Sequence, residues 1–147
     1  MASQIQLVDD RYCFACGREN PIGLKLNFEY PRQGECRAGF VPLREHQGWQ
    51  GVLHGGIIAT LLDEALAHAL GGPDRGRGSG AVTAEITVSF KKPVPIETRV
   101  ILSGRVNRQR GRLIEAVSQI ENEQGEVLAS AMGKLVIPKS RIEPGVG

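Results

Sequence analysis

The chain has 147 residues and a mass of 15.9 kDa, enough for one domain that buries about two-thirds of its unfolded surface around a single core. With 41% hydrophobic and 23% charged residues it is globular in composition, and no apolar run nears the ~20 residues of a membrane-spanning helix, which excludes such a span. A net charge of +2 on scattered basic residues, with 5% aromatics for base stacking, excludes a nucleic-acid footprint.

The first ten residues, MASQIQLVDD, carry neither a basic start nor a continuous apolar segment, so no secretory signal is expected and the cytoplasm is the default compartment. Three cysteines, an odd number, predict free thiols rather than a disulfide framework. Cys13 and Cys16 form a CxxC, half of a zinc site, which Cys36 with His46 or His54 would have to complete. A second CxxC or HxxxH is missing, so no metal is expected and residues 1–23 are read as a segment preceding the first strand. Residues 24–30, LKLNFEY, alternate strictly, with Leu24, Leu26, Phe28 and Tyr30 on one side. With Cys36, Ala38 and Phe40 they predict a hairpin across the turn at 31–34.

Over residues 55–70 the period changes to that of a helix. Ile57, Leu61, Ala65 and Ala69 form one row, with Ile58, Leu62, Leu66 and Leu70 beside it. The helix follows a glycine pair and stops at Gly71-Gly72-Pro73; residues 73–80 then read as a loop. Alternation returns with Val82, Ala84, Ile86, Val88 and Phe90 on one face, then Val100, Leu102 and Val106, then 112–121 and 126–137, separated by turns at Pro93/Pro95, 107–111 and 123–125. The expected class is α+β: a single domain with one helix against about six antiparallel strands, ending in a frayed tail at 139–147.

Opposite the apolar stripe the helix presents Thr60, Asp63, Glu64 and Ala67, and between Arg44 and Arg75 there is no Lys or Arg at all. A solvated helix would carry basic residues there, so this one is expected to be covered on nearly every side. One sheet covers one face; a second copy of the chain is the economical cover for the other. A carboxylate in such a covered place either resists ionisation or meets a ligand, which makes Asp63 and Glu64 active-site candidates. Just upstream, His54-Gly55-Gly56 puts two residues without side chains at the helix N-terminus, where unpaired N–H groups and the positive end of the dipole suit an oxyanion. Asp63 follows His54 by nine residues, roughly 13 Å along the axis. That is too far for one reacting carbon in one subunit. A helix from a partner across a two-fold axis closes the gap.

GVLHGGIIATLLDEALAHA at 51–69, TAEITVSFKKPVP at 83–95 and the GRV, GRL and GEVLASA stretches at 104–131 resemble hotdog-fold thioesterases of the phenylacetate-degradation (PaaI) type. The resemblance implies a long helix wrapped by a curved antiparallel sheet, a homodimer with a continuous sheet that often pairs into a homotetramer, and acyl-CoA as substrate, with no cofactor beyond that coenzyme A. It implies Asp63 as general base or nucleophile and a Gly55 amide that polarises the thioester carbonyl. His54 and Gly56 would shape that turn, Thr83 would carry a hydroxyl near the attacking water, and Glu64 would share the proton load or close the interface. Many relatives have Asn or Gln six residues before the motif histidine; here that position is Gly48, with Gln47 or Gln50 as substitutes. The CFACGRENPIGL stretch resembles segments that line the acyl or pantetheine channel. Trp49 would wall an acyl pocket or pack in the core or at the interface, and some of Arg75, Arg77, Lys91, Lys92 and Arg110 would meet the CoA phosphates. Alternatives are a non-catalytic acyl-CoA-binding protein and a hotdog hydratase or dehydratase. His68 is expected in the core.

Overall fold

The computed structural model describes residues 7–74, 76 and 80–139. In chain order the elements are β1 (Glu35–Phe40), a 3-10 turn (Arg44–His46), helix α1 (Gly55–His68), β2 (Val82–Phe90), β3 (Val100–Arg110), β4 (Leu113–Glu121) and β5 (Val127–Val136). The strands form one antiparallel sheet in the order β1-β3-β4-β5-β2, so β1 and β2 are its edges. The helix lies across one face and touches all five strands. This is the α+β, helix-in-sheet architecture expected, with five strands where about six were anticipated. Among the described residues no helix is long and apolar enough to cross a membrane.

The missing strand is 24–30. Lys25 has a left-handed backbone (φ 54), which interrupts an extended run. Leu24 and Leu26 donate their N–H groups to the carbonyls of Phe14 and Ala15 rather than to a sheet neighbour, and the expected hairpin shrinks to a single bridge, Glu29 with Arg37. The alternation still reported burial: Leu24 and Leu26 are core residues, with Phe28 packed against them.

The two helical rows behave as expected, with Ile58, Leu61, Leu62, Ala65, Leu66, Ala69 and Leu70 buried. Leu61 and Leu62 join Val94, Val100, Leu102 and Ile120 in the main core, while Leu66 and Leu70 pack on Ile114 and Leu135. Close approach of helix and sheet depends on Gly104, where a Cβ would run into the Ala65 carbonyl, and on Gly133, where it would meet the Leu66 side chain. The pair Gly71-Gly72 ends the helix for a similar reason: side chains there would strike Tyr30 and Gln33. Glu64 departs from the helical-wheel expectation. It is only 8% exposed and is covered by the N-terminal segment around Cys13, rather than lying beside Asp63 on the outer face. Of the turn expected at 107–111, residues 107–110 continue β3, with Asn107 at a register shift and Arg108, Gln109 and Arg110 paired to β4, and the reversal tightens to Gly111 with φ 57. Arg75, Arg77 and the tail from 140 onward lie outside the described residues.

Candidate active site

His54 is the N-cap of α1. Its Nδ1 accepts the Gly56 N–H at 2.8 Å, so the neutral imidazole carries its proton on Nε2. Gly56 is small because a Cβ there would come within 3.0 Å of Nδ1. With Gly56 occupied by the cap, and Ile57 and Ile58 both donating to the His54 carbonyl, the exposed Gly55 N–H has no acceptor among the described residues. It therefore offers a donor at the positive end of the helix. The half-exposed ring of Phe90, at the end of β2, lies beside Gly55.

Two turns further along, Asp63 is half-buried, and its Oδ1 accepts a 2.6 Å hydrogen bond from the Thr83 hydroxyl. A bulge makes this contact. Between Thr83 and Glu85 the β2–β5 register slips by one residue, so Thr83 pairs with the inward-facing Leu135, whereas Glu85 pairs with the outward-facing Lys134. Strict alternation from Ile86 would have turned Ala84 to the helix and Thr83 away from it. Gly55 and Asp63 sit on one unbroken helix, eight residues or about 12 Å apart. One protomer brings together His54, Gly55 and Gly56 at one point and Asp63 with Thr83 at another; it does not bring the two groups together.

Glu64 belongs to a different constellation inside the protomer. The His68 Nε2–H donates to its Oε1 at 3.1 Å, Tyr30 donates its hydroxyl to His68 Nδ1 at 2.6 Å, and the His68 ring stacks on Phe28 at 4.1 Å between centroids. The Cys13 thiol points at the same carboxylate, 3.9 Å away. Burial, then the Glu64 hydrogen bond, push the Cys16 thiol above its ordinary range. Cys36 stands apart: its thiol donates to the Ala65 carbonyl at 3.1 Å. His46 accepts the Leu43 N–H, so neither His46, His54 nor Cys36 completes a tetrahedron with the CxxC.

The remaining candidates are dispersed. Gln47 uses its Oε1 to accept the Gly51 N–H, bracing a tight turn whose exposed tip carries Trp49 (87% exposed) and Gln50. Gly48 lies against His54, where a Cβ would be in ordinary contact. Lys91 and Lys92 follow β2 near Phe90, and Lys92 pairs with Glu126 at 2.8 Å. Arg110 is at the opposite end of the sheet, across from Leu113, so within one chain it is remote from Lys91. Sequence reading missed the Tyr30-His68-Glu64 chain. Its signal was the Glu64/His68 spacing of four, which stacks both side chains on one helical face.

Comparison with known proteins places this chain in a family. The family model described as thioesterase superfamily matches residues 50–129, a stretch from the turn before His54 to the start of β5. An acyl-coenzyme A thioesterase THEM4 from Bos taurus is 31% identical over 91 residues, covering 62% of this chain and 35% of that protein. The chain thus spans about a third of the length of this curated relative. A crystallised thioesterase superfamily protein superposes with a TM-score of 0.75 at 28% identity, over 86% of this chain and 63% of that one. The E. coli PaaI protein from the phenylacetic acid degradation operon shares the fold, with a TM-score of 0.67 at 20% identity over 78% of this chain and 80% of that one. With more than half of its residues covered by the family model, this chain belongs to the thioesterase superfamily.

Proposed function

We propose that the chain hydrolyses an acyl-CoA thioester to a free acid and CoA at a site shared by two protomers. The observation that carries this reading is the split along α1: at Gly55 an amide with no acceptor among the described residues, and about 12 Å away a carboxylate held by Thr83. A helix from a second copy, running antiparallel to the first, sets the Asp63 of one chain against the Gly55 of the other. The Gly55 N–H, with the His54 Nε2–H beside it, then stabilises the oxygen that gains charge as the carbonyl is attacked. Asp63 either takes a proton from the attacking water or attacks the carbon itself, forming an anhydride that water opens; in both routes the CoA thiolate departs and is protonated. Thr83 holds the carboxylate in either role. Lys91 follows Phe90 at the Gly55 end and supplies a cation there for CoA phosphates. The CoA thioester is supported by the name of the THEM4 relative.

The test is thiol release from a panel of aromatic, short-chain and medium-chain acyl-CoA esters, with wild type beside Asp63→Asn. A loss on the order of 10²–10⁴-fold is expected in the variant. Equal rates in both proteins would remove Asp63 from the chemistry. One observation favours a second reading, a carrier that binds acyl-CoA without cleaving it: Gly48 supplies no side-chain amide, and the Oε1 of Gln47 is engaged within its own turn. Tight binding without turnover on any ester would select it.

A further inference from the structure

We propose that Cys13, Cys16 and Glu64 form a binding site for a thiophilic divalent cation of the zinc class, which fastens the N-terminal segment to the central helix. Sequence spacing leaves the CxxC without further ligands; the fold supplies one from α1. The two Sγ atoms and a Glu64 carboxylate oxygen all lie within 4.8 Å of one another. Tetrahedral zinc, with bonds of about 2.3 Å to sulfur and about 2.0–2.2 Å to oxygen, requires sulfurs about 3.8 Å apart and oxygen about 3.5 Å from each. Small side-chain rotations close that difference.

Both halves of the site are held before any cation arrives. On the thiol side, residues 13–17 form a tight turn closed by the Gly17 N–H on the Cys13 carbonyl at 2.9 Å, and a Cβ at Gly17 would collide with the Cys13 backbone. The N–H groups of Leu24 and Leu26 hold Phe14 and Ala15 in place, and buried Asn20 ties the next turn back to Tyr12. On the carboxylate side, Tyr30 orients His68 and His68 orients Glu64, supplying the hydrogen bond that a ligating carboxylate receives from behind. A crevice of about 210 Å³ lined by Asp9, Arg11, Cys16, Gly17 and Arg18 opens on Cys16, giving a hydrated ion its approach and a water the fourth coordination position. Two thiolates in the donor set select zinc-like ions over calcium or magnesium.

On binding, the two thiols release their protons to solvent, the hydrated ion sheds all but one of its waters, and two metal–sulfur bonds and one bond to the Glu64 carboxylate replace them, with no change of oxidation state. Glu64 faces the interior while Asp63 faces outward, so the site is structural, and the inference stands independently of the thioesterase reading.

The test uses the full chain, reduced with a phosphine and stripped with a chelator, then titrated with cobalt(II) as a spectroscopic probe. Expected are a 1:1 stoichiometry, the strong visible absorption of a tetrahedral site with a thiolate-to-cobalt charge-transfer band, and displacement by zinc(II). The band should vanish in Cys13→Ser and in Cys16→Ser and persist in Cys36→Ser, whose thiol is engaged with Ala65. Glu64→Gln should weaken binding roughly 10–100-fold. For any variant that fails to fold, alkylation of the wild type decides: zinc should suppress iodoacetamide labelling of Cys13 and Cys16. Folded, reduced wild type without the band, a band surviving both serine substitutions, or labelling indifferent to zinc would each overturn the proposal.

Discussion

Asp63 and Glu64 are neighbours in sequence with opposite surroundings, and the difference is set by a 100° step around the helix. Glu64 turns inward to His68 and the CxxC thiols; Asp63 turns outward and meets Thr83 across the helix–β2 gap. Under the proposed hydrolysis the Thr83 hydroxyl is a positioning group, because it touches the Asp63 carboxylate. A hydrogen bond to a charged group contributes about 1.5–3 kcal/mol, so Thr83→Val should lower kcat by roughly an order of magnitude or more with KM little changed. Thr83→Ser should restore most of the rate. A purely structural role would move thermal stability and leave the kcat of the folded protein intact.

Between elements, β1 and α1 meet at Cys36 and β3 and α1 at Gly104, and both contacts converge on the Ala65 carbonyl. Burial holds the Cys36 thiol near 12, above its ordinary 9.0. The native state therefore keeps this proton where the unfolded chain gives it up. The sign follows: the contribution is whole below pH 9 and is lost as pH rises toward 12. Urea denaturation above pH 9 should show stability falling by about 1.4 kcal/mol per pH unit from this group, and Cys36→Ala should flatten that slope. An unchanged slope in the variant would place the titration elsewhere. The strands themselves were legible because their alternation survives in β3, β4 and β5. The β2 bulge was not, since Val82, Ala84, Ile86, Val88 and Phe90 read as an unbroken period and nothing local marks the slip.

As a whole molecule the protomer leaves β2 incompletely covered. This strand pairs with β5 alone, most of its residues are exposed, and Phe90 is 59% exposed next to Gly55. An edge of this kind with apolar residues beside a helix face free of Lys and Arg suits pairing with a second copy. Light scattering should give a mass of at least twice 15.9 kDa, and on dilution the activity per chain should fall together with the mass. A fully active monomer would rule out a site built from two helices.

Periodicity and composition by themselves determined the class, the single helix and its buried rows, the later strands and the outward Asp63, because each depends on spacing within one element. The motif resemblance added the superfamily. Tertiary structure alone decided that Glu64 turns inward, that Thr83 rather than Ala84 reaches the helix, that Leu24 and Leu26 bond to the CxxC turn instead of a sheet neighbour, and that the Glu64 carboxylate stands over those two thiols. The physical reason is common to all four. Each is settled by contacts between segments distant in sequence, where a one-residue bulge, a left-handed lysine or a 100° step on a helix reverses what local pattern dictates.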